Sequence, residues 1–279
     1  MYPKKILLGL LFILITSVGV SSCDDGINIF SDADDVQLGL EVSTEINNNS
    51  AEYPIYNSDK SLKNYIVNNI FNEILASPKV AKKNIYKYQL EIVDNDSVLN
   101  AFALPGGPVY VYTGLLKYLD SEAALAGVLG HEIAHAERRH ATQRMTQYYG
   151  ISVLFSLILG ENPSQLAEIA ANLFVGLAFL GNSRANEDES DEYSITYLRD
   201  TRFYPGGVKF FFEKLQADGL VSGGSGLETF FSTHPDPIDR IASANQRVQT
   251  LGLPQYRYSD NGTGIFRDEY QANIRSKLP

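Results

Sequence analysis

The sequence predicts an α+β fold, a mainly helical core with a small antiparallel sheet packed against it. Three observations predict it. β-Rich runs are confined to residues 85–112, at 85–93, 98–104 and 108–112. Apolar residues recur at helical spacing on both sides of that window. The 279 residues include one cysteine and are 44% hydrophobic, so the core must close without an intrachain disulfide, which a chain of this length can do. The formal charge of −10 offers no basic patch for phosphates and argues against nucleic acid as a partner.

The chain opens with Lys4 and Lys5, an apolar run at 6–15 and then Val20-Ser21-Ser22-Cys23. A basic start, a short apolar stretch and small residues before a boundary make a secretory signal over 1–22. The single cysteine falls where a bacterial lipobox needs it, so Cys23 is the expected lipidated N-terminus. Residues 23–58 read as a tether and loose N-terminal segment rich in Asp, Asn and Ser, with a modest helix at 36–46. Asp59 caps a predicted helix that runs to Ala76 and ends before Pro78. The turn Pro105-Gly106-Gly107 joins the second and third strands, and Thr113 opens a short helix.

Ser121 is the N-cap of the next helix, which carries Ala124, Leu125, Val128, Leu129 and Ile133. Apolar helical stretches at 148–160 and 166–181 are too short for ordinary membrane spans and read as core helices or a hairpin at the site. An acidic helix follows at 184–201, then one at about 206–218. Residues 219–229 have the Gly/Ser composition of a loop, and Asp236, Pro237 and Asp239 form a helix start. The metal-binding domain is placed at 59–250, with 251–279 a C-terminal extension. No internal repeat is present.

His131-Glu132-Ile133-Ala134-His135 carries the chemistry. Residues four apart on a helix are turned by about 400°, so both imidazoles lie on one face and can grip one zinc ion. Glu132, beside that face, can take a proton from water at the ion and return it to a leaving amine. A third protein ligand is needed. His140 is turned about 180° from His131 on a continuous helix and is expected to face away. The acidic helix offers Glu187, Asp188, Glu189, Asp191 and Glu192. Glu187 and Asp191 share a face at i, i+4, so one can bind the metal while the other orients a ligand imidazole.

Four segments, in order, resemble the zinc metallopeptidase family that contains the CAAX prenyl endopeptidase, the mitochondrial OMA peptidase and bacterial HtpX- and BepA-like enzymes. They are Asn100 to Gly107, Gly130 to His135, Ser183 to Asp191, and Ser232-Thr233-His234-Pro235 with Arg240 beyond. The resemblance covers roughly 60–250 and departs at Ser190, where the family usually has alanine. It implies a gluzincin-like zincin core and one zinc ion per chain, with Glu187 as third ligand and Asp191 positioning a ligand histidine. It also implies that the strand holding Asn100, Ala101, Phe102 and Ala103 is an edge that takes an extended substrate by β-augmentation.

His234 precedes a helix start and is a candidate fourth ligand that silences the site, with Arg240 holding its loop or assisting an oxyanion. The expected function is a lipid-anchored, periplasm-facing zinc endopeptidase acting on misfolded or misassembled cell-envelope polypeptides. The alternative is a chaperone-like peptide-binding lipoprotein with a latent site. The absence of the spanning helices found in prenyl-protease members argues against prenylated substrates.

Overall fold

The structure is a computed structural model that describes residues 27–150, 182–221, 226–235 and 237–279. The signal and lipobox sequence, nearly all of the apolar stretches at 148–160 and 166–181, part of the Gly/Ser loop, and Asp236 lie outside the described residues. Helix α1 (Asp32–Asn48) is longer than its sequence pattern suggests. Ser31 starts it earlier by accepting from Asp34 N while the Asp34 carboxylate accepts from Ser31 N. Asp59 caps α2 (Lys60–Ile66) through Ser61 N. One π-helical turn, Val67–Phe71, joins it to α3 (Asn72–Ala76).

The three strands are shorter than their β-rich runs: β1 (Gln89–Val93), β2 (Ala101–Ala103) and β3 (Pro108–Tyr112). Their order corrects the expected all-antiparallel sheet. The β2–β3 hairpin is antiparallel, but the order is β1-β3-β2 and β1 pairs with β3 in parallel, Gln89 opposite Pro108 and Val93 opposite Tyr112. The reason is burial. All five β3 residues are buried, so β3 takes the centre and β1, running the same way, pairs along its far side. This leaves β2 at the edge. Tyr112 N donates to Asn100 O at 3.1 Å and Leu104 N to Pro108 O at 2.8 Å. By the alternation of an antiparallel ladder, the backbone groups of Ala101 and Ala103 then face the open side.

Helix α4 (Thr113–Tyr118) leads to α5 (Glu122–Glu137), capped by Ser121 through Ala124 N as the sequence indicates. Every residue of α5 except Val128 is buried, so this helix is the centre of the molecule and has no solvent face. Small residues let its neighbours close in. A Cβ on Gly127 would stand 2.2 Å from Val208 N, and one on Gly130 2.8 Å from Ser194 Oγ. Against it pack α6 (His140–Tyr149), α7 (Arg184–Leu198) and α8 (Val208–Ala217); the short α9 (Glu228–Thr233) is followed by α10 (Pro237–Thr250), which packs on α7 and α8, and α11 (Arg267–Asn273) returns to α5. The C-terminal residues Ile265, Tyr270 and Ile274 are wholly buried in the same core as Leu125, Leu129 and Ile133. A second cluster seats Leu38, Val42 and Ile46 of α1 against Val93, Tyr110 and Met145. Among the described residues, no helix is long and apolar enough to cross a membrane.

Candidate metal centre

Two helices bring the donors together. On α5, His131 and His135 project from one face, their Nε2 atoms 2.9 Å apart. Helix α7 packs across them, capped by Ser183 through Asn186 N, and points Glu187 inward. The Glu187 oxygens stand 3.4 Å from His131 Nε2 and 3.3 Å from His135 Nε2. His234 Nδ1 completes the group at 3.1 Å from Glu187 Oε2 and 3.4 Å from His131 Nε2. One donor atom from each of His131, His135, Glu187 and His234 lies within 4.8 Å of the others, and all four residues are buried. Three imidazoles and a carboxylate in that space are a donor set suited to a metal ion.

Two of the clustered imidazoles are fixed from behind. His131 Nδ1 donates to Asp191 Oδ1 at 2.8 Å, so its Nε2 is the nitrogen directed inward. His135 is fixed by His140, a partner the helical spacing had excluded. The two Nδ1 atoms are 2.8 Å apart, and His140 Nε2 donates to Glu189 Oε2 at 2.9 Å. That last bond makes His140 Nδ1 the acceptor, so His135 carries its proton on Nδ1 and its Nε2 also faces inward. Ser190 Oγ lies 3.3 Å from His140 Nδ1, so the one departure from the family pattern touches this relay.

His140 returns to the site because α5 does not continue. The helix ends at Glu137, and Arg139 adopts φ 63°, ψ 30°, a left-handed conformation that costs a non-glycine residue about 1 kcal/mol or more. Arg139 is held there by α1: its Nε donates to Asp35 Oδ2 at 2.6 Å, and a second nitrogen bonds Phe30 O. The turn reverses the chain and sends His140 back under His135. The only trace in the sequence is the charged run Glu137-Arg138-Arg139 closing the apolar helix.

Arg240 is buried and committed to carboxylates. Its Nε and one terminal nitrogen meet Asp191 at 2.8 and 2.6 Å, and the other terminal nitrogen meets Glu187 Oε2 at 2.7 Å. It braces the centre by joining these two carboxylates. His234 also differs from its sequence setting. It ends a short helix, α9, that the Gly/Ser-rich sequence concealed; its backbone N–H donates to Phe230 O, and its ring stacks on Phe230 at 5.0 Å.

A cleft of about 280 Å³ opens beside the cluster, lined in part by Glu132, His135 and His234, by Phe102 and Ala103 of β2 and by Asn100 just before that strand. Burial pushes the Glu132 carboxyl above the usual range, with His234 Nε2 3.7 Å from its Oε1. Burial and the His131 charge hold His135 well below the usual imidazole value. His131 moves the other way. Burial and Arg240 oppose its protonation, yet its bonds to Asp191 and Glu187 raise it to about 9. A proton on His131 thus supplies positive charge to the metal-free cluster.

The model of peptidase family M48 matches residues 61–248. This chain belongs to peptidase family M48. Its relatives include the mitochondrial metalloendopeptidase OMA1 of Arabidopsis thaliana, 33% identical over 178 residues, and the β-barrel assembly-enhancing protease of Yersinia pestis, 30% identical over 202. These matches cover 62% and 69% of this chain but only 35% and 40% of the relatives. Metalloprotease LoiP of Escherichia coli K12 is 29% identical over 168 residues, 56% of this chain and 61% of that one. Membership of M48 makes this a metalloprotease-family chain, and the M48 match contains all four clustered residues.

Two outcomes follow from this geometry. His140→Ala, which releases His135 to turn, lowers metal affinity by about 10- to 100-fold in a competition titration with a chelating dye. Metal binding at pH 7 releases about one proton, because His131 is protonated below about 9 in the metal-free cluster and must lose that proton to ligate. Calorimetry in buffers of different ionisation enthalpy measures it. The sign for stability is opposite: a folded-state value raised above 6.5 stabilises the metal-free protein at low pH, and that contribution fades as pH rises through about 9.

Proposed function

We propose that this protein is a zinc-dependent endopeptidase that hydrolyses polypeptides at the cleft between β2 and α5, anchored by lipid on Cys23 and facing the periplasm. The observation that carries this reading is the meeting of His131, His135 and Glu187 in a buried cluster beside Glu132, in a chain of family M48. The donor set fits zinc. Imidazole nitrogens with one carboxylate are its usual protein ligands, and His131, His135 and Glu187 would leave one position for chemistry. When bound, zinc supplies Lewis acidity to the scissile carbonyl and to water at the site.

The chain's own groups do the rest. The outward backbone groups of Ala101 and Ala103 pair with an extended substrate and hold its backbone across the cleft. Glu132, raised by burial towards a useful range for a base, takes a proton from the attacking water and hands it to the departing amine. Asp191 and the His140–Glu189 relay keep both imidazoles presenting Nε2, and Arg240 holds Glu187 and Asp191 in register. His234 lies close enough to His131 and Glu187 to serve as a fourth ligand, which would exclude water and keep the site silent until a substrate displaces it.

Misfolded or misassembled envelope proteins are the proposed substrates. This rests on the names of the β-barrel assembly-enhancing relatives and on the lipobox-like sequence at Cys23. A cleft that reads backbone through an edge strand suits substrates that are locally unfolded.

Glu132→Gln should keep the metal and the fold yet lose at least a hundredfold in hydrolysis of casein or a quenched peptide, since the base is gone and the ligands remain. In the same assay His234→Ala raises the basal rate. Near-wild-type hydrolysis by Glu132→Gln would remove Glu132 from the mechanism, and a lowered rate in His234→Ala would make that residue a helper rather than a brake. Incorporation of labelled palmitate, abolished in Cys23→Ala, checks the anchor.

A further inference from the structure

Two charged groups in the cleft, Arg144 and Glu52, take no part in the chemistry above, and Arg144 is the basic one. Arg144 lies on α6 and lines the cleft together with Glu132 and His135. Its Nε is shielded from solvent and has no hydrogen-bond partner among the described residues. The contrast with other arginines is sharp. Arg138, Arg139, Arg202, Arg240 and Arg247 each meet a carboxylate at 2.6 to 2.9 Å. Burial pulls the Arg144 guanidinium down to about 10, against the opposing pull of Glu187 and Glu132, so it is still cationic at neutral pH.

A guanidinium whose Nε is buried without a partner is costly, and stability alone would favour an apolar side chain at this place. The walls around it are largely apolar, with Ile46, Tyr53, Val98 and Tyr112 facing the same space. A charge in such surroundings is strongly felt by a partner that enters. The planar fork of arginine matches a carboxylate by two parallel hydrogen bonds. Two further groups in the cleft want partners as well. Asn100 Oδ1 and Asn182 Oδ1 are buried acceptors without a donor, as a peptide N–H would provide.

We infer that Arg144 is a specificity residue that pairs with a carboxylate of the bound polypeptide in the cleft beside Glu132. The inference rests on the peptidase reading for its ligand, a polypeptide, and adds the chemical class the cleft selects. The carboxylate comes from an acidic side chain near the scissile bond or from the free C-terminus of the substrate. Arg144 acts in binding and takes no proton. It complements the edge strand, which holds any backbone, by favouring chains that bring negative charge to one place.

The test separates binding from hydrolysis. The zinc-loaded full chain carrying Glu132→Gln leaves peptides intact, and fluorescence anisotropy gives their Kd. The probes are one neutral peptide with an amidated end, a set in which a single Gln is replaced by Glu at successive positions, and the neutral peptide with a free carboxyl end. At least one carboxylate peptide should bind tenfold or more tightly than the neutral one. The advantage should fall below twofold when Arg144→Met, which keeps the aliphatic stem, is added. Arg144→Gln serves as the second variant if Arg144→Met melts early. Preference in the Glu set assigns the carboxylate to a side chain, and preference in the free-acid peptide assigns it to the C-terminus. Equal affinity across the probes, including no measurable binding by any of them, overturns the inference, as does a preference that survives loss of Arg144. Casein hydrolysis by the wild-type chain is read separately, so a failed peptidase reading and a failed carboxylate preference give different results.

Discussion

The pairing of Arg240 with Glu187 and Asp191 is the interaction on which the rest of the centre depends. Two carboxylates one helical turn apart are buried on α7, where neither could remain ionised without compensation. Arg240 reaches both from α10 at 2.6 to 2.8 Å; against their burial, His234 and Arg240 hold Glu187, and Arg240 holds Asp191, below the ordinary carboxylate range. That bridge fixes α10 against α7. Asp191 is then free to accept from His131, and Glu187 to face both imidazoles. The positive charge that completes the balance is a proton on His131 or a metal ion in its place.

A second constraint is the left-handed Arg139. A straight α5 would carry His140 away from the cluster. The chain instead turns, at a conformational cost met by Asp35 and the backbone of Phe30. Helix α1 therefore does more than cover the sheet. Its buried Asp35 bears on the residue just before His140, which bears on His135. The apolar contacts of Leu38, Val42 and Ile46 hold that acid in place. The N-terminal segment, loose in composition, is thus tied to the orientation of a metal-facing imidazole.

The same turn starts α6 along one wall of the cleft and places Arg144 in it. On the opposite wall, β2 is an edge because the fully buried β3 took the centre of the sheet. The cleft is therefore a consequence of two choices made elsewhere: which strand is central and where α5 stops. Neither involves the residues that would do chemistry, yet both decide what a substrate meets.

Much of this was legible in the sequence. The i, i+4 spacing on a helix puts His131 and His135 on one face by geometry alone, and Ser121 and Asp59 announced their helices through side chains that cap within three residues. The helix at Glu228–Thr233 was hidden by its Gly/Ser-rich approach, and the parallel β1–β3 pairing by strands whose local patterns do not record their neighbours. Local chemistry fixes what depends on residues a few positions apart: caps, helical faces and the pair of imidazoles. Tertiary structure alone decided that His140 turns back to His135, that Arg240 joins Glu187 to Asp191, and that Arg144 Nε finds no partner among the described residues. Each of those depends on groups far apart in the chain whose burial makes them meet, and desolvation, which sets the energy of every such contact, is not a property of any short stretch of sequence.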